Sequence, residues 1–226
     1  VANWRSAGSL TVDVASFALP VVGFVAVTTA RWRADVQRLL CDKSPAELER
    51  HNAGVLMDIG IPRPTWWAFL SHKWLSPRHE TVITATVKEM KGVAGLEHVL
   101  NAARTAQSEV GALMQEQQAI LLAYHHTDVE KLVSLVPAAY LVAGRTASGS
   151  QVAFLAADVL AWTAEAEGLA EQLVRAMPAA PERTRTLYVT GTVTERARRE
   201  LATRGLTVVA PYQPGDAEQA GEPDTP

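Results

Sequence analysis

The sequence predicts a helix-rich α/β protein: a C-terminal β–α–β sheet unit covered by long amphipathic helices, behind an N-terminal helical region. Three observations carry the prediction. Between Thr186 and Ala210, two short runs of branched and aromatic residues flank a helical stretch that stops at Gly205. Gly95 to Tyr124 repeats apolar residues at steps of three and four. Ser44, Pro45 and Glu47 form a capping sequence that opens a further helix. The expected division is a mostly helical region over 1–80, an α/β domain over 81–212 and a disordered acidic tail over 213–226.

From the N-terminus, residues 14–30 (VASFALPVVGFVAVTTA) carry no charge. A spanning helix needs about 20 mainly apolar residues, so this stretch reads first as a core helix or a strand pair around Pro20. The competing reading is a membrane-associated helix. Arg31, Arg33 and Arg38 after it would then put the bulk of the chain in the cytoplasm, at the inner face of the membrane. The helix opened at Ser44 buries Leu48, Val55, Leu56 and Ile59 and ends at Gly60, Pro62 and Pro64. Its last residues, Leu56 to Arg63, resemble the L-x-D-I-G-x-x-R ending of a small bacterial arginine-rich family. That likeness implies no residue role here.

Trp66, Trp67 and Trp74 crowd the next segment and are candidate interaction residues, because tryptophan is enriched at interface hot spots. Thr81 to Val87 (TVITATV) reads as a strand. Gly95 to Tyr124 reads as one long helix packed on the sheet, with helical character running on through Asp128 to Pro137. Ala138 to Gly144 and Gln151 to Ala156 read as strands around the loop Arg145–Ser150, and Asp158 to Met177 as a helix. In the C-terminal unit, Leu187 to Thr190 and Leu206 to Ala210 are the strands, and Thr192 with Glu195 forms a capping box. Glu195 with Arg199, and Arg196 with Glu200, sit at i,i+4.

Composition limits the function classes. The formal charge is −3, and four of the acids lie in the tail, so the body is near neutral and no nucleic acid is expected as a partner. Arg196, Arg198 and Arg199 form a local basic cluster that Glu195 and Glu200 offset. One cysteine, Cys41, excludes an internal disulfide framework and suits a reducing compartment. Arginine exceeds lysine and alanine is abundant, as in GC-rich bacterial genomes. Beginning at Val1, the chain is expected to be processed, trimmed or incomplete.

No catalytic constellation is recognised, and no cofactor or metal is expected. His126 with Glu130 has one-face spacing for metal but no third ligand at recognisable spacing. Candidate ligand-binding residues are Gly144, Ser148 and Ser150, in a glycine-containing loop without the Lys-Ser/Thr of a phosphate loop, and Gly191 and Thr192 at a helix start. The functional expectation is a non-catalytic accessory, regulatory or assembly protein. It would act through contacts with a protein partner or a second copy, with membrane association through 14–30 as an added feature. The alternative is a small-molecule-binding or hydrolytic α/β enzyme, its site at the carboxyl ends of the strands.

Overall fold

The computed structural model describes residues 30–180 and 183–213. Most of the 14–30 segment and the tail beyond Gln213 lie outside the described residues. Among the described residues, no helix is long and apolar enough to cross a membrane.

Four helices come first: α1 (Ala30–Asp42), α2 (Pro45–Asp58), α3 (Arg63–Leu70) and α4 (Pro77–Glu89). α2 starts as expected, with Pro45 in its first turn and the Ser44 N–H and hydroxyl both donating to the Glu47 carboxylate (2.9 and 2.6 Å). It ends at Gly60, whose φ of +86° is costly for any residue with a Cβ.

α4 corrects the strand expected over Thr81–Val87. Ser76 and Pro77 start a helix there, and the Ser76 hydroxyl accepts from the His79 amide. α4 lies against α1, α2 and α6, so Thr81, Val82, Ile83, Thr84, Thr86 and Val87 are all buried. Burial on several sides repays the helix propensity that β-branched residues lack, about 0.5 kcal/mol each. The Thr81 and Thr86 hydroxyls donate back to the Pro77 and Ile83 carbonyls, both at 2.7 Å. The boundary expected between residues 80 and 81 falls inside this helix.

The long helix is also two: α5 (Glu97–Ala103) and α6 (Glu109–Tyr124). Ser108 restarts the second by accepting from the Gly111 amide at 3.1 Å. A π-helical turn, His125–Val129, ends α6. The helical character expected to run on to Pro137 is replaced by strand β1 (Leu132–Ala138), which pairs antiparallel with β2 (Leu141–Thr146). A register shift between Leu132 and Ser134 leaves Leu132, Leu135 and Ala138 buried. That three-residue spacing imitates a helix. Pro137 is tolerated because β1 ends the sheet.

β3 (Gln151–Leu155) completes the expected hairpin with β2. β4 (Val159–Leu160) then precedes α7 (Ala164–Ala176), so the helix starts at its Thr163 cap and not at Asp158. The C-terminal unit is β5 (Arg185–Val189), β6 (Thr192–Val193), α8 (Glu195–Thr203) and β7 (Thr207–Val209). β5 and β7 pair in parallel, with Leu187 opposite Val208. Gly205, at φ +73°, follows α8 as expected. The cap is Thr194, whose hydroxyl accepts from the Ala197 amide at 3.3 Å, and not Thr192. Thr192 is held by β6 pairing, and Glu200 pairs with Arg204 at 2.8 Å instead of with Arg196.

The main sheet is mixed, in the order β1-β2-β3-β5-β7, and β4 pairs with β6 in a separate two-stranded ladder. Strand alternation divides the core. Val152 and Phe154 join the cluster with Leu56, Phe69, Leu100 and Leu121, beneath α5 and α6. Ala153, Leu155, Leu187 and Val189 face Leu169, Leu173 and Leu201 of α7 and α8. α6 is fastened to the sheet by Gln115, which donates to the Tyr140 carbonyl at 2.9 Å, and by Gln118, which donates to that of Phe154 at 3.2 Å.

Candidate functional site

The end of α2, the short helix α3 and the turn into α4 form a corner that exposes large apolar side chains. On α3 the helical period puts Phe69 fully inside, with Trp66 and Leu70 against the core. Trp67 falls on the other face and is 61% exposed. Met57, at the end of α2, is 63% exposed, and Trp74, in the turn, is 40% exposed. The Ser71 hydroxyl donates to the Trp67 carbonyl at 2.8 Å, and the Leu75 amide to that of His72 at 3.0 Å, so the turn is ordered. Lys73 places its ammonium 5.2 Å from the Trp74 ring centroid.

A half-buried ionic contact, between exposed Arg78 and buried Glu116, anchors the start of α4, and with it the turn that carries Trp74. The Arg78 guanidinium meets both Glu116 oxygens of α6, at 3.1 and 3.2 Å. His79 takes the capping-box position: the Ser76 N–H donates to Nδ1 at 3.3 Å, and the Ser76 hydroxyl lies 3.0 Å from that nitrogen. With Nδ1 accepting, the ring proton is assigned to Nε2, which lies 3.8 Å from Glu116 Oε2. Burial pushes the Glu116 carboxyl up to about 7 against the opposing pull of Arg78. Burial, and then Arg78, hold the His79 imidazole below its ordinary value, with Glu109 opposing. Serine, histidine and carboxylate are thus in sequence here, but Ser76 Oγ also accepts the His79 amide at 3.4 Å. The array serves the helix cap.

The predicted ligand residues do not come together. Ser148 and Ser150 lie in the turn before β3, whereas Gly191 and Thr192 follow β5. Because β3 and β5 are parallel, the two groups stand at opposite ends of the sheet, and the first is not at the carboxyl ends where it was expected. Gly144 is a packing glycine in β2: a Cβ there would come within 2.9 Å of the Leu132 side chain. The Ser148 amide already donates to Glu130 at 2.8 Å, and its hydroxyl lies 3.0 Å from that of Thr146. Gly191 permits the close approach of two loops, since a Cβ would sit 2.0 Å from the Asp158 carbonyl oxygen. That same oxygen accepts from the Thr192 amide at 2.8 Å. β4 and β6 therefore zip together the segments that leave the carboxyl ends of β3 and β5, where the alternative reading needs a cleft. The strand order also runs one way from β3 to β7, without the reversal that opens a crevice in doubly wound sheets.

His126 and Glu130 are likewise occupied. His126 Nδ1 accepts from the Leu132 amide at 3.0 Å, and Glu130 accepts from Ser148. Sequence reasoning missed the surroundings of His125. This ring is buried against Phe154 and Tyr188, at centroid distances of 5.5 and 5.9 Å, with Tyr212 packed at a tilt against both. Among the described residues neither ring nitrogen has a hydrogen-bond partner, and burial pushes its pKa down to about 4, with Glu130 opposing. The available signal was the HH pair at the end of α6, where the π-turn swings the first imidazole inward.

Compared with known protein families, curated proteins and solved structures, the chain matches none.

Proposed function

We propose that the chain is a non-catalytic accessory, regulatory or assembly protein whose Met57–Trp67–Trp74 corner docks a partner protein or a second copy. One observation carries the reading: on a single short helix Phe69 is fully buried while Trp67 is 61% exposed. Leaving an indole in water forfeits roughly 2–3 kcal/mol of available burial, and exposed aromatic side chains of this kind are typical interface anchors. The zipped loops beyond β3 and β5 weigh against the enzyme alternative. The same reading keeps the chain in the cytoplasm, where the exposed Cys41 thiol stays reduced. Residues 14–30 would be its point of contact with a membrane.

The test is native mass in an extract of the cells that make the protein. The wild-type chain is expected to migrate in a complex larger than its own mass, and Trp67→Ser/Trp74→Ser to shift to the monomer position. Monomeric migration of both would sink the proposal.

A further inference from the structure

The charges around the corner narrow the class of partner. Arg63 lies at i,i+4 to Trp67 on α3, which puts the two side chains on one helix face. Lys73 lies over the Trp74 ring. Arg104, after α5, and Lys73 both act on His72 at the centre of the turn. Burial is the larger cause that holds this imidazole below its ordinary value, and the two cations add to it. Arg63, Lys73 and Arg104 are exposed, and among the described residues no carboxylate lies within ion-pairing distance of any of them. The fourth cation of the corner, Arg78, is already committed to Glu116. Within the corner's own segment, from Met57 to the start of α4, Asp58 is the only acid, and from the neighbouring elements Glu109 acts on His79 at the start of α4.

We infer that the corner's partner is an acidic protein segment. It would seat an apolar or aromatic side chain on Trp67 and Trp74 and turn its carboxylates toward Arg63, Lys73 and Arg104. This rests on the docking role proposed above. Three cations without a carboxylate partner, beside the exposed indoles, outnumber Asp58 and Glu109, so the surface attracts negative charge and repels positive charge; complementarity supplies specificity while the aromatic contact supplies most of the affinity. A neutral apolar partner would leave the cations with nothing to answer them. A basic partner would meet like charge at close range.

The probe is a synthetic peptide of alternating Asp and Glu around a Phe and a Leu, titrated against the full chain and followed by tryptophan emission. Its Lys-for-acid counterpart, phosphatidylglycerol vesicles and oligothymidylate serve as the other arms. The acidic peptide is expected to bind, and Lys73→Glu/Arg104→Glu to weaken it by about tenfold, as high salt also does. The lysine peptide, the vesicles and the oligonucleotide are expected to leave the emission unchanged. No binding of the acidic peptide, or tighter binding of vesicles or oligonucleotide, would overturn the inference.

The native complex separates this inference from the docking role. A complex lost in Trp67→Ser/Trp74→Ser but kept in Lys73→Glu/Arg104→Glu would contradict the acidic partner and leave the docking corner standing. A complex kept in both variants would contradict the corner itself.

Discussion

His125 and Glu80 are buried ionisable side chains whose titrations pull stability in opposite directions. His125 has a folded pKa near 4 because burial disfavours the imidazolium. The unfolded chain therefore takes up a proton first, and stability is lost as pH falls from about 6.5 toward 4, by roughly 3 kcal/mol. His125→Phe should remove this acid limb, seen as a gap between variant and wild type that widens below about pH 6.5 in denaturant unfolding. The His125 ring signals should also report a neutral imidazole down to about pH 5. A ring that titrates near its ordinary value would show that the aromatic cluster admits water.

Glu80 behaves in the reverse sense. Burial, and then the Glu49 carboxylate, raise its folded pKa to about 7. Its contribution is full below the unfolded value and is lost as pH rises toward 7. Glu80→Gln should therefore gain on wild type between about pH 5 and pH 8, by roughly 2 kcal/mol. Equal stability of the two proteins across that range would place the carboxylate in water.

At the scale of elements, the C-terminal unit turns on two positions that a sequence pattern alone ranks wrongly. Thr194→Ala should cost about 1 kcal/mol by uncapping α8, and Thr192→Ala a few tenths. The opposite order in thermal unfolding would restore the cap read from the sequence. Gly191→Ala forces a methyl onto the Asp158 carbonyl and must separate β4 from β6. About 3 kcal/mol is expected, with amide exchange accelerated at Thr192 and Thr194, whose N–H groups donate to Asp158 and Leu160. Gly95 has the same character against β1: its φ is +82°, and a Cβ would lie 2.4 Å from the Leu135 carbonyl oxygen.

These elements also mark what the chain makes legible. Ser44 to Gly60 and Gly205 were readable because a cap, a first-turn proline or a positive-φ glycine acts within a few residues. Thr81–Val87 was misread because two-residue alternation of branched residues also fits a helix buried on several sides. The local start signal, Ser76-Pro77, is masked by the branched run that follows it. Leu132–Ala138 was misread for the inverse reason, since the register shift near Val133 gave a strand helix-like spacing. The corner's tryptophans were named from sequence. Their exposure was not, because it depends on which face of α3 meets the core. The grouping of Ser76, His79, Arg78 and Glu116 needed the meeting of α4 with α6, which no local pattern encodes.

Over the whole molecule, helices cover both faces of the sheet, and its two edges are partly guarded. Ala94 exchanges backbone hydrogen bonds with Val133 and Leu135 along β1. On β7, Arg198 donates to the Val208 carbonyl at 3.1 Å. Partly guarded edges leave less room for partner strands, which fits the proposed docking through a side-chain surface such as the α2–α3 corner. The docking claim is tested most directly by a photo-crosslinking residue introduced at Met57, exposed at the end of α2, with the tryptophans intact, in the cells that make the protein. The same residue at Arg196, exposed on α8, is the reference. A discrete adduct from Met57 that Trp67→Ser/Trp74→Ser abolishes, with none from Arg196, is the predicted result. No adduct from Met57, or equal adducts from both positions, would contradict it.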